Sequence, residues 1–434
     1  MKKMILSLAA GCMLTSAYGQ QISQKEVARI INTLAADDMQ GRQSGTPSID
    51  KAAAFISNEF RKAGLAPLSG EQNYLQSFSR YGLHTVATTL TVNGVAQNWP
   101  VLTIGASRHV QLHRDTAQCL EIKVTNADEL RAVLGKRKSM QKNIVAWLAP
   151  SLDAYLANLE GSISSRMYAT EQEVPADTAT RQMVLILERE PLKADDNWSV
   201  DQTRSIHAQQ FTNVVGMIKG AAKPDEYVIY SGHYDHLGIL PPVDGDSIAN
   251  GADDDASGTT AVIMLADYYK KKRPARSLIF VAFTAEEMGG YGSAYFSQQM
   301  DPAKVVAMFN IEMIGKESKF GKNSAFITGF EKSDFGTILQ KNLSGSAFRF
   351  YPDPYPEQNL FYRSDNANLA KLGVPAHTIS TTQIDKDKYY HTVKDEVSTL
   401  DVKNITDIIK AIAVSSGTIV NGTSTPTRIT PVSQ

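Results

Sequence analysis

The stretch SLIFVAFTAEEMGG, residues 277–290, passes from an unbroken apolar run directly into two adjacent carboxylates. Leu278 to Phe283 is short, wholly apolar and rich in aromatic and aliphatic residues, which reads as a buried β-strand. Glu286 and Glu287 stand just past its end. Paired carboxylates beside a buried strand are costly unless cations compensate them. The plain alternative is an acidic cap on the next helix.

Working outward, three further apolar runs read as strands: Glu226 to Tyr230, Val305 to Ile311 and Val374 to Ile379. Between the first two lies a helix predicted over Thr259 to Lys271. Its apolar face is Val262, Leu265, Ala266 and Tyr269, and Ser257 is placed to cap it. Strands separated by helical segments predict an α/β fold, a mixed and mainly parallel sheet flanked by helices. In such sheets ligands bind beyond the carboxyl ends of the strands.

Chemistry-bearing residues collect at those ends. His233 and Asp235 form His-x-Asp after the first strand, and Glu312 follows the third. Asp253, Asp254 and Asp255 lie between Gly251 and Gly258, whose freedom allows a tight turn that brings one carboxylate inward. His391 sits in the polar loop Tyr389-Tyr390-His391-Thr392. Each residue alone has an ordinary reading: a polar turn, an acidic helix start, a surface histidine. Together, His233, Asp254, Glu287, Glu312 and His391 form a ligand set suited to two divalent metals. A carboxylate between two cations can bridge them and hold them roughly 3.5–4 Å apart, the arrangement of two-metal hydrolases. Glu286, directly before a ligand, is the candidate general base. Asp235 is expected to orient a ligand or shape the pocket. His236 and His377 are read as structural or supporting residues.

The remaining chain is less informative. Residues 22 to 64 read as largely helical, with Ile49, Ala52, Ala53, Ile56 and Phe60 at helical spacing. The loop Gly41-Arg42-Gln43-Ser44-Gly45-Thr46 precedes that helix and reads alone as a turn. From 84 to 204, β-prone runs such as Thr85 to Val92 and Met183 to Leu187 carry no carboxylate–histidine cluster. They predict an inserted, mostly β domain. It separates an N-terminal part, residues 22–83, from a catalytic part, residues 205–421. The tail, 422–434, is rich in Thr, Ser and Pro and is expected to be flexible or extended. A net charge of −1 gives no global field favouring nucleic acid, and no apolar run in the mature region is long enough to span a membrane. Lys2 and Lys3, the apolar run Met4 to Leu14 and Ala17-Tyr18-Gly19 read as an export signal over residues 1–19. An alternative is lipidation at Cys12, after Ala9-Ala10-Gly11. With the signal removed, Cys119 is the single cysteine, so a thiolate metal site is excluded.

The ordered set HYD, GADDDASG, AEE, NIEMIG and YHT resembles the M28 family of dinuclear zinc aminopeptidases over residues 211 to 420. The resemblance extends weakly to residues 41–46 and their helix, and the segment 84 to 204 stands where many relatives carry a protease-associated domain. It implies two Zn2+ ions, peptide substrates and an exported metallo-aminopeptidase. His233 would hold one ion and His391 the other, with Asp254 as the bridge and an unusual peptide bond after it. Glu287 and Glu312 would complete the shells, Glu286 would act as base, and Tyr390 would hydrogen-bond the oxyanion. Two departures stand out: Glu312 replaces the usual Asp, and Asn366 stands where many relatives have His. Rival expectations are a glutaminyl-cyclase-like acyltransferase using one zinc, or a peptide-binding relative without catalysis. The intact His233 argues against the first, and the complete ligand set argues against the second.

Overall fold

The computed structural model describes residues 22–432 apart from 106, 116, 165 and 175–180. The expected export signal and Cys12 lie outside the described residues. The chain forms two compact units. One comprises the described residues up to Gln76 together with those from Thr212 onward; the other is Ser77–Phe211.

The first unit is built on a mixed sheet. Its centre is four parallel strands in the order Ala376–Ser380, Val305–Ile311, Lys223–His233 and Arg276–Phe283. Residues 214–218 run antiparallel beside Arg276–Phe283. On the other side Ser324–Ile327 pairs antiparallel with Ala376–Ser380 and parallel with Arg349–Pro352. Alternation along the strands assigns side chains to two faces. Val228, Tyr230, Leu278, Phe280 and Phe309 join one core with the helices Gln24–Leu34, Pro47–Lys62, Gly258–Tyr269 and Val402–Ser415. Ile229, Ile279, Val281, Phe283 and Met308 join a second core with Phe296 and Leu369. Both faces are therefore dry, and polar chemistry is displaced to the strand ends.

Several expectations shift in detail. The first strand reaches His233, so this residue is the strand's last rather than part of the following loop. The central helix is Gly258–Tyr269 and is buried on nearly every side. Ser257 does not cap it. Its hydroxyl donates to the Asp253 carbonyl at 2.7 Å and accepts from the Ile314 amide at 3.0 Å, joining two loops instead. Gly258 is required by packing, because any Cβ there would strike the Ile311 carbonyl. The expected helical N-terminal segment is two helices separated at residues 35–46. The tail expected to be flexible is extended and tied down through residue 432. Arg276 donates to the Ser424 carbonyl and the Thr425 hydroxyl, each at 2.6 Å, and Ile429 is buried in the second core.

The second unit holds a four-stranded sheet in the order Val101–Ile104, Met183–Leu187, Asn143–Leu148, Cys119–Val124, with a hairpin of 90–92 with 95–97 and a pairing of 109–113 with 199–203. Strands dominate it, and helices Ala127–Gly135 and Asp153–Ser164 accompany them. Among the described residues no helix of the chain is long and apolar enough to cross a membrane.

Candidate metal centre

The carboxyl ends of the parallel strands bring the predicted residues together. Asp254 lies between two histidines. Its Oδ1 is 3.1 Å from His233 Nε2 and its Oδ2 is 3.3 Å from His391 Nε2. Glu287 Oε2 is 3.1 Å from the same His391 nitrogen. His233, Asp254 and Glu312 form one group able to hold a metal ion, and His236, Asp254 and Glu287 form a second. Asp254 is common to both. The peptide bond Asp254–Asp255 is cis.

The three successive aspartates divide their work, and none is a solvated turn: all are buried. Asp255 Oδ2 accepts the His233 amide at 3.1 Å, and its Oδ1 accepts the amides of Gly258 at 3.0 Å and Met313 at 3.1 Å. It therefore ties the His233 strand to the loop after Glu312. Asp253 accepts the Gly315 amide at 2.7 Å. Only Asp254 faces the histidines. Its backbone is fixed by Asp395, which accepts the Asp253 and Asp254 amides at 3.0–3.1 Å.

Asp235 braces two sides of the site. Its Oδ1 accepts the Glu286 amide at 3.1 Å, and its Oδ2 accepts the Ser44 hydroxyl at 3.2 Å. His233 Nδ1 lies 3.1 Å from the Asp235 carbonyl, which turns Nε2 toward Asp254. Burial pushes the Glu286 carboxyl well above the ordinary carboxylate range. Burial also pushes Glu312 up to about 7, while its Oε2 accepts the Ser364 hydroxyl and, at 3.4 Å, the Asn310 amide. The Tyr390 ring stacks on His391 at 3.9 Å between centroids. Burial raises its phenol, so it stays protonated and able to donate.

His236, read from the sequence as structural or supporting, stands in the site, and three further residues, Lys316, Arg42 and Ser44, escaped that reading. His236 Nδ1 lies 2.8 Å from Glu287 Oε1, so this histidine belongs to the cluster rather than to the background. Its position in His-x-Asp-His was the available signal. Lys316 contacts Asp387 at 2.5 Å, Asp253 at 3.4 Å and Asp395 at 3.9 Å, joining three loops around the site. Arg42 is fully buried and donates to the carbonyls of Leu34, Tyr234, Asn250 and Gly251 at 2.6–2.9 Å. Ser44, from the same loop, meets Asp235, Thr284 and the Ala285 amide. His377 is structural, as expected: it lies between Phe335 and Phe361, with Nδ1 on the Thr328 carbonyl at 2.9 Å. Asn366 donates its amide to the carbonyls of Phe361 and Ala376, and its side-chain oxygen accepts the Thr378 hydroxyl at 2.9 Å.

The donor set is imidazole and carboxylate, which suits zinc and harder divalent ions. Among the described residues the buried Nε2 of His236 has no hydrogen-bond partner, and that of His233 meets only the Asp254 carboxylate, in a cluster that also holds Glu287 and Glu312. Both observations fit divalent metal.

The fold and this strand-end centre define a class, an α/β protein with a carboxylate–imidazole metal cluster. Residues 213–415 match peptidase family M28. A probable zinc metalloprotease of Pyrenophora teres f. teres is 37% identical over 151 residues, 34% of this chain and 32% of that protein. A second from Phaeosphaeria nodorum is 27% identical over 233 residues, 50% of this chain and 45% of that protein. The chain thus spans a third to a half of the length of these relatives. In fold it is similar to the aminopeptidase from Aneurinibacillus sp. strain AM-1, with TM-score 0.55, 17% identity and 96% of each chain covered. BSAP, a zinc aminopeptidase from Bacillus subtilis, gives TM-score 0.58 and 15% identity, covering 93% of this chain and 96% of its own.

Proposed function

We propose that this protein is an exported, zinc-dependent aminopeptidase that hydrolyses the N-terminal peptide bond of peptides. The observation that carries the reading is Asp254, a single buried carboxylate with one oxygen toward His233 and the other toward His391. Support for export comes from the charged and apolar pattern of residues 2–19.

His233 and Glu312 would hold one zinc, His391 and Glu287 the other, with Asp254 shared. Zinc, when bound, supplies Lewis acidity that makes water nucleophilic near neutral pH and polarises the scissile carbonyl. Glu286, with its carboxyl raised by burial, takes the proton from the attacking water and delivers it to the leaving amine. Asp235 holds the backbone of Glu286 in place. Tyr390, kept protonated, donates to the oxygen on which negative charge develops. His236 steadies Glu287 through their 2.8 Å contact.

Glu286→Gln tests the assignment. The variant should retain two zinc ions per chain by elemental analysis, yet lose roughly 10²–10⁴-fold in kcat on aminoacyl anilides. Unchanged turnover would refute Glu286 as the base, and one zinc per wild-type chain would refute the shared site.

A further inference from the structure

The cleft beside Glu312 combines apolar walls with one buried hydroxyl that has no partner among the described residues and one guanidinium held only by long contacts. Phe326 and Leu360 line it, together with Thr382 and Arg363. Tyr390 lines it as well, so the cleft opens directly onto the metal centre. The Thr382 hydroxyl is buried and has no hydrogen-bond partner, a costly state unless a ligand supplies one. Arg363 is exposed, and its side-chain contacts are two 3.5 Å approaches to the carbonyl and amide oxygens of Gln358. Those long contacts leave most of its five donors open.

We infer that this cleft receives the side chain of the substrate's N-terminal residue and selects one ending in a carboxylate. Arg363 is the specificity-determining residue and Thr382 a second donor. The inference rests on the aminopeptidase reading above. A guanidinium fork matches a carboxylate in geometry and charge and binds it through paired, charge-assisted hydrogen bonds. Glu312 also lines the cleft, but its charge is met by the Ser364 hydroxyl and by the zinc it would hold. Arg363 further lines the adjoining groove with Glu286, Glu287 and Lys371. The free C-terminus of a dipeptide lying there is a second source of the same carboxylate chemistry. The unpartnered Thr382 lines the cleft, which favours the side chain.

Steady-state kinetics of the zinc-loaded full chain decide the matter, using Glu-, Gln- and Leu-p-nitroanilide and the pair Leu-Gly and Leu-Gly-amide. The wild type should prefer Glu over Leu at least tenfold in kcat/KM. Arg363→Met should lower that ratio at least tenfold, mostly through KM, and Arg363→Glu should shift preference toward a Lys anilide. Thr382→Val should weaken Glu and Gln together relative to Leu. A wild-type preference for Leu, or an equal loss on all anilides in Arg363→Met, overturns the inference. A loss in Arg363→Met confined to Leu-Gly, with the anilide ratios unmoved, assigns the carboxylate to the substrate's C-terminus and also overturns it. Absence of turnover on every substrate by zinc-replete wild type overturns the aminopeptidase reading, and this inference with it.

Discussion

The two halves of the metal centre are held in different ways. His233 is the last residue of a central strand and is 1% exposed. Its amide is bound by Asp255 and its carbonyl by Thr259 at 2.7 Å, so the sheet and the adjacent helix fix it from both sides. His391 lies in a loop, is 37% exposed and has a φ of +58°. The same loop is anchored at its two ends, by Asp387 on Lys316 and by Asp395 on the Asp253 and Asp254 amides. One ligand is placed by packing, the other by charge. Packing is stiff and insensitive to solution conditions, whereas an anchor made of ion pairs yields to single substitutions. In the proposed two-zinc centre, the His391 half is therefore where affinity for one ion can be tuned without disturbing the fold.

The largest expected effect removes the comparison altogether. Asp254→Ala takes the shared carboxylate from both halves and should leave fewer than one zinc per chain with activity reduced about 10⁴-fold or more, read by elemental analysis and anilide turnover. Retention of both ions would show that the halves stand independently. Lys316→Met attacks the charged half alone. Zinc affinity measured by chelator competition should fall about tenfold for one ion and stay unchanged for the other, with Lys316→Arg restoring most of it. Equal weakening of both ions would mean that the loop anchor serves the whole site. The smallest effect concerns neither ligand. Burial lowers His377 from 6.5 to about 4, so the folded protein holds it neutral. The stability this group contributes is intact above pH 6.5 and is lost as pH falls from 6.5 toward 4, at up to about 1.4 kcal/mol per pH unit. Denaturant titrations of His377→Gln should show a shallower decline over that window, while zinc stoichiometry at pH 7 stays the same.

The packed half was the more legible in the sequence. Apolar strands announce themselves by composition, so His233, Glu286, Glu287 and Glu312 could be placed at or just beyond the strand ends, and Asp254 in the glycine-flanked turn before the central helix. The supporting contacts were hidden because they join positions far apart in the chain. Arg42 meets the carbonyls of Tyr234 and Asn250 some 200 residues away, and nothing in its glycine-rich loop distinguishes it from a turn. Lys316 reads as a surface charge until the loops bearing Asp387 and Asp395 close around it. His236 could be read only as structural or supporting, because nothing in the sequence shows that it meets Glu287, 51 residues on. For the tail, composition left open flexible or extended chain, and the arginine anchors that fix it in the extended form join positions far apart in the sequence.

Arg42 also sets a limit on how far the front of the chain can be shortened. Its guanidinium gathers carbonyls from the first helix, from the turn after His233 and from the turn before Asp254. Its burial leaves no water to take over those bonds. Proteolytic trimming that stops before the first helix removes none of them. Removal of the chain as far as residue 42 would leave the turn after His233 and the turn before Asp254 without their common clasp. Any shortening of the chain from its front therefore has a floor at Arg42, whose bonds reach the two turns beside His233 and Asp254.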